Sequence, residues 1–228
     1  SGTELAVQLR QDYYPQKVLS YSQARDTLYA IIDKRANDSL YCVYTNYAHH
    51  IDVTQDPSQY VYENGKSGGM NCEHSWPQSK GTKEGQARSD MHHLFPTRID
   101  VNQARGNHPY GEVYDPQTTH WYYREDNLEW IPPNRVIDNY SELGQGYFEP
   151  PEFKKGDVAR ALFYVYVMYH DQVDHHFFEE QAQTLLRWHL QDPVDAQERR
   201  RSQHIAYYQD GKANPFVLDD TLAERLLE

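Results

Sequence analysis

Residues 71–113, NCEHSWPQSKGTKEGQARSDMHHLFPTRIDVNQARGNHPYGEV, gather a carboxylate, carboxamides, several imidazoles and several guanidinium groups within one short stretch. A hydrophobic core cannot readily use such a set, so chemistry on a charged substrate is the first reading. The carboxylate of Glu73 and the amide oxygen of Asn102 are hard donors, suited to Mg2+ or Ca2+ held by few protein groups and completed by water and substrate phosphate. His74, with an unperturbed imidazole pKa of about 6.5, can be neutral at working pH and take a proton from an attacking water. A metal beside a base makes a hydrolase site.

Those residues need elements that bring them together. Glu73 and His74 are neighbours, and neighbours on a regular strand leave by opposite faces, so both reach one site only at a strand end, bulge or turn. Pro77 supports a strand that stops near His74. Residues 90–97, with Met91, Leu94 and Phe95 among His92, His93 and Pro96, read as a second short strand. From Arg98 the spacing of Ile99, Asn102 and Arg105 predicts a short helix, with Gly106 as its stop. Strand, loop, strand and helix in that order would place Glu73, His74 and Asn102 together.

The segments N-C-E-H-S-W-P-Q-S, S-D-M-H-H-L-F-P-T and V-N-Q-A-R-G-N-H-P-Y-G resemble the bacterial endonuclease I family, periplasmic or secreted non-specific nucleases of the ββα-metal (His-Me finger) superfamily. The likeness continues through Gly156-Asp157-Val158-Ala159-Arg160-Ala161 and from Trp188 through Pro193-Val194, Glu198-Arg199-Arg200 and Ile205 to Asn214-Pro215-Phe216. It implies that His74 is the general base, that Glu73 and Asn102 hold the divalent metal, and that Arg105 lies close enough to grip or neutralise phosphate. Cys72 fills the variable place of the family's Asn-x-Glu-His motif. The implied cofactor is Mg2+, with Ca2+ or Mn2+ as substitutes, and the implied products carry 5'-phosphate and 3'-hydroxyl ends.

Plainer readings stand beside these. As a bare dipeptide Glu73-His74 is a surface ion pair beside a strand, and only the matching downstream segments displace that reading. His92 and His93 suit a core or ligand-orienting place better than metal ligation. Asn107 suits the turn before Pro109-Tyr110-Gly111. Arg88, Arg98 and Arg105 are the candidates for substrate phosphate, each with the alternative of an ordinary solvated charge; only Arg105 has motif support. Asp171, Asp174, His175 and His176 suggest a second metal site, though a loop between helices explains them more simply.

The 228 residues, 38% of them hydrophobic, fit one compact domain over 1–228: an α+β fold with a finger core at about 71–111, a small mixed sheet and a helical half at about 156–228. The predicted scaffold begins with a helix over 22–33, capped by Ser22, with Ala24, Leu28, Ile31 and Ile32 on one face. Strand-prone segments follow around Leu40-Tyr41-Cys42-Val43-Tyr44 and at Gln59-Tyr60-Val61-Tyr62, then a turn region at 64–69. Trp121, Tyr122, Tyr123 and Trp130 fit sheet packing better than base stacking, and residues 131–151 read as loops. Further helices are expected from Gly156, over 177–190 and over 194–208, with Arg199-Arg200-Arg201 as a solvated face. Cys42 and Cys72 either form one disulfide or remain two buried thiols; as nucleophiles they would leave Glu73 and Asn102 idle.

The formal net charge of -12 argues against a broad surface for a polyanion and leaves room only for a local basic groove. No apolar run reaches membrane-spanning length, and no signal peptide is visible in the polar N-terminal segment. The expectation is a monomeric, periplasmic or secreted, Mg2+-dependent endonuclease acting on DNA and RNA, with no membrane partner. A hydrolase of small phosphodiesters and a catalytically silent nucleic-acid-binding or adhesion domain are the alternatives from other classes.

Overall fold

A computed structural model of the protein describes residues 1–65 and 68–228. Lys66 and Ser67, within the turn region expected at 64–69, lie outside the described residues. Ser1 closes a capping box with Glu4 and starts α1 (Gly2–Tyr13). Helix α2 (Tyr21–Thr27) is led in by Ser20 rather than Ser22, the Ser20 Oγ accepting from the Gln23 N–H at 3.4 Å. It runs into a π-turn over Leu28–Ile32. Ala24, Leu28 and Tyr29 are buried, while the wider turn rotates the side chains within it and leaves Ile31, expected inward, 57% exposed.

The short strands β1 (Ser39–Tyr41) and β2 (Ala48–His50) pair antiparallel. Gln59-Tyr60-Val61-Tyr62 is not a strand but part of helix α3 (Pro57–Glu63). Asp56 caps it through the Gln59 N–H at 2.8 Å and Pro57 opens its first turn, and these local signals override the β-propensity of Tyr-Val-Tyr. Strand β3 (Met70–His74) stops where Pro77 suggested. The segment after Asp90 is strand only in part: Asp90 caps a 3-10 turn over Met91–His93, and β4 runs Leu94–Arg98. Helix α4 (Ile99–Arg105) ends at Gly106, whose φ of +54° favours glycine.

Strands β5 (Thr118–Tyr123) and β6 (Asp126–Leu128) precede a segment that is not all loop. It contains β7 (Ser141–Gly144) and β8 (Tyr147–Glu149), joined at Gln145 and Gly146 with φ of +55° and +86°. Positive φ at both residues suits the twist of a two-residue hairpin, a signal masked by the surrounding prolines and glycines. After α5 (Lys155–Met168), the single helix expected at 177–190 is two, α6 (His175–Glu179) and α7 (Ala182–Gln191). The break lies at Gln181, whose side-chain amide occupies the Phe177 carbonyl while its N–H turns to Phe178 at 3.1 Å. Helix α8 (Ala196–Tyr208), capped by Asp195, is followed by Asp210 and Gly211 at positive φ, then by α9 (Pro215–Leu218) and α10 (Leu222–Leu227).

The architecture is α+β, as expected. Where one mixed sheet was expected, the strands among the described residues form three small sheets, β1-β2, β3-β4 and β6-β5-β7-β8. The pairings of the first and third are antiparallel. The chain divides into two compact units, residues 1–24, 74–94 and 156–228 in one, 25–73 and 95–155 in the other. Each is assembled from separated stretches, so neither is a continuous linear domain.

The first unit is built on α5, with Leu162, Phe163 and Val165 buried and Phe163 against Phe178 and Phe216 at 5.5 and 5.4 Å. Arg160, the charged exception on this apolar helix, meets Glu198 through two bonds of 2.7 Å. Arg199 and Arg200 are exposed as expected, but Arg201 is not part of a solvated face: it donates to the Leu94 carbonyl at 2.6 Å. In the second unit Trp121 and Tyr122 are buried in the sheet, while Trp130 is 66% exposed. Among the described residues no helix is long and apolar enough to cross a membrane.

Candidate active site

The boundary between the units falls inside β3, between Glu73 and His74. In the second unit β3 pairs with β4, and α4 follows at once, giving the strand, strand and helix order expected from the sequence. Glu73 is 2% exposed at the end of this arrangement. Its Oε1 accepts from the Tyr44 hydroxyl at 2.8 Å and lies 3.2 Å from Nη1 of Arg105. Tyr44 and Tyr110 share a hydrogen bond of 2.6 Å, and the Arg105 guanidinium lies over the Tyr110 ring, 4.5 Å from its centroid. Burial pushes the Glu73 carboxyl above its ordinary pKa, while the Arg105 charge and the Tyr44 hydrogen bond pull it back.

Asn102 sits one turn before Arg105 on α4 and donates its amide to Asn71 Oδ1 at 2.7 Å. That bond orients the carboxamide and directs its carbonyl oxygen to the other side. A divalent metal fits these residues. Both candidate donors are hard oxygens, and a carboxylate whose burial resists ionisation gains from a cation. Among the described residues no three or more His, Cys, Asp or Glu form a metal-holding group. Two protein oxygens completed by water and substrate phosphate is the mode Mg2+ favours.

In the first unit His74 is 5% exposed and its Nε2 lies 2.9 Å from the Arg88 carbonyl. A carbonyl only accepts, so Nε2 carries the proton and Nδ1 keeps its lone pair. The Gln78 amide, 3.3 Å from Nδ1, agrees with this tautomer, since its N–H can donate there. The His74 ring packs beside Tyr21, with centroids 5.4 Å apart, and exposed Arg88 lies over the same Tyr21 at 5.0 Å. His93 packs edge-on against His74 at 5.4 Å. His92 and His93 are buried, with Nε2 on the carbonyls of Lys212 and Ala87, and burial lowers both pKa values.

The three arginines separate. Arg105 is fully buried beside Glu73, and Arg88 is exposed. Arg98 is 2% exposed and directs its guanidinium to Asp100 and to the carbonyls of Arg124 and Asp126, so its donors serve the protein. Cys42 and Cys72 are buried and are not joined in a disulfide. Asp171 pairs with Arg10, and Asp174 pairs with Lys80 at 3.0 Å while capping α6, in keeping with the loop reading.

Sequence reasoning missed Tyr44, Tyr110, Asn71 and Gln78. Asn71 and Tyr110 stand inside the motif segments and were open to view; Tyr44 lies 29 residues from Glu73 and carried no local signal. Asp90 also stands in a motif segment, where nothing local discloses its role. It is fully buried, with Tyr164 and Tyr169 donating to Oδ2 at 2.8 and 2.7 Å and Gln209 to Oδ1 at 2.9 Å.

The model of the endonuclease I family matches residues 1–221. The chain is 31% identical to an extracellular ribonuclease of Bacillus amyloliquefaciens over 237 residues, 95% of this chain and 71% of that one. It is 29% identical to an extracellular ribonuclease of Bacillus subtilis (strain 168), covering 95% and 72%. It is also 26% identical over 152 residues to an endonuclease-1 of Buchnera aphidicola subsp. Baizongia pistaciae (strain Bp), covering 67% and 53%.

Proposed function

The chain belongs to the endonuclease I family, and from that premise we propose that it is a secreted or periplasmic, Mg2+-dependent endonuclease that hydrolyses phosphodiester bonds in DNA and RNA without sequence preference. The observation that carries the reading is the oriented imidazole of His74, next in the chain to a buried carboxylate held by an arginine and a tyrosine.

His74 Nδ1, the nitrogen with the lone pair, takes a proton from a water as its oxygen attacks phosphorus. The bond from phosphorus to the 3'-oxygen breaks as the new bond forms, leaving a 5'-phosphate and, after protonation, a 3'-hydroxyl. Glu73 and Asn102 would hold the divalent metal, which when bound supplies charge stabilisation to the phosphorane and the leaving oxygen. Arg105, buried against Glu73, offsets the charge of that carboxylate. Exposed Arg88, stacked on Tyr21 beside His74, is the better candidate for contact with substrate phosphate. The names of the Bacillus relatives support RNA as a substrate and that of the Buchnera relative supports internal cleavage.

The test is nicking of supercoiled plasmid and cleavage of a long RNA by the purified protein in Mg2+, then in EDTA, beside Glu73→Ala and Asn102→Ala. Metal-dependent cleavage lost in both variants is expected. Cleavage of a chromogenic diester but of neither polymer would replace the reading with a small-molecule hydrolase.

A further inference from the structure

We propose that Tyr44 and Tyr110 form a two-hydroxyl relay that positions Glu73 for the metal, with Tyr44 as the principal positioning residue. The inference rests on the reading of Glu73 as a metal ligand. The Tyr44 hydroxyl has one proton and two close partners, Glu73 Oε1 at 2.8 Å and the Tyr110 hydroxyl at 2.6 Å. An ionised carboxylate only accepts, so the Tyr44 proton goes to Glu73 and Tyr110 must donate to Tyr44. The chain of bonds therefore has one direction, from Tyr110 through Tyr44 to Glu73, and each bond polarises the next.

Rigid supports surround the relay. Tyr44 and Tyr110 are fully buried. The Tyr44 carbonyl accepts from Ser141 Oγ at 2.7 Å, and its ring packs on Phe148 at 4.7 Å, so both its backbone and its ring are anchored to the four-stranded sheet. Tyr110 is bridged to Phe148 and covered by the Arg105 guanidinium. Tyr44 and Arg105 both act on Oε1. Two fixed donors on one carboxylate oxygen set the side-chain torsion, and with it where the carboxylate can hold a cation. Tyr44 touches neither substrate nor reacting atoms; it acts through Glu73.

The experiment is calorimetric titration of the purified protein with Mn2+ and with Mg2+, for the parent, Tyr44→Phe, Tyr110→Phe and Glu73→Gln, with a thermal melt of each. Tyr44→Phe keeps the ring and removes only the hydroxyl. It is expected to weaken metal affinity about tenfold or more, as loss of a charge-assisted hydrogen bond does. Tyr110→Phe should weaken it less. The apparent metal constant in the cleavage assay should rise in parallel, with cleavage recovering at high Mn2+. Parent-like affinity in both Tyr variants, beside a loss in Glu73→Gln, overturns the relay alone. Parent-like affinity in Glu73→Gln removes the metal-ligand reading itself. If Tyr44→Phe unfolds, Tyr110→Phe still decides.

Discussion

His74 Nε2 stands 2.9 Å from the main-chain carbonyl of Arg88, so the tautomer of the proposed base is set by backbone and does not depend on the Arg88 side chain. His74→Ala is expected to lower the cleavage rate by about three powers of ten, the range of a lost general base, with nucleic-acid binding in a gel shift nearly unchanged. Gln78→Ala, which removes only the amide near Nδ1, should cost far less. Parent-like turnover in His74→Ala would remove the base assignment.

Asp90 gathers the hydroxyls of Tyr164 and Tyr169 and the amide of Gln209 onto one buried carboxylate. Asp90→Ala strands three buried donors, each costing about 1–3 kcal/mol, so the melting temperature should fall by about 10 °C or more. Asp90→Asn keeps one acceptor oxygen and should fall less. A melt of Asp90→Ala within a few degrees of the parent would show that water or repacking satisfies those donors.

The contrast between Asp90 and Glu73 shows what a sequence discloses. Both lie in motif segments, and both are buried carboxylates with tyrosine donors. Residue type could not say which anchors the fold and which is proposed to hold a metal, because Tyr44, Tyr164 and Gln209 reach them from 29 to 119 positions away. Local signals did better: Pro77, Gly106 and the spacing of Ile99, Asn102 and Arg105 gave strand, strand and helix. They failed where one local force outweighed another, as when Asp56-Pro57 made a helix of a strand-like Tyr-Val-Tyr. They failed again where Gln145-Gly146 formed a hairpin in a segment read as loop. Arg98 looked like a phosphate contact because charge alone does not reveal that Asp100 and two carbonyls already hold it.

Glu142 faces Glu149 across β7 and β8, and burial followed by the Glu149 charge raises its pKa to about 8 against the help of Thr118. The folded state therefore binds this proton more tightly than the unfolded chain does. Its contribution is fully present below the ordinary carboxylate range and is lost as pH rises through about 8. The melting temperature should fall between pH 5 and pH 9, and Glu142→Gln, neutral throughout, should flatten the fall and melt higher than the parent at pH 9. Parallel curves for the two proteins would show that Glu142 does not carry the dependence.

A body with net charge -12 can hold a polyanion only through a few well-placed cations, so substrate binding should weaken with salt at a slope set by the number of those contacts, about 0.9 for each. Arg88 and Arg98 separate two kinds of arginine by the same measurement. Arg88 is exposed, stacked on Tyr21 beside the His74 ring, and so able to meet a phosphate. Its replacement by Ala should raise KM and reduce the slope of log affinity against log salt by about 0.9, the value of one lost phosphate contact on duplex DNA. Arg98 is buried on Asp100 and the hairpin carbonyls. Arg98→Ala should leave the slope unchanged and lower the melting temperature instead, because it strands those acceptors. Filter-binding titrations with His74→Ala as the common background, across a salt series, keep cleavage from confusing the reading. A reduced slope in Arg98→Ala and none in Arg88→Ala would exchange the two assignments, moving the phosphate contact to the hairpin end of α4.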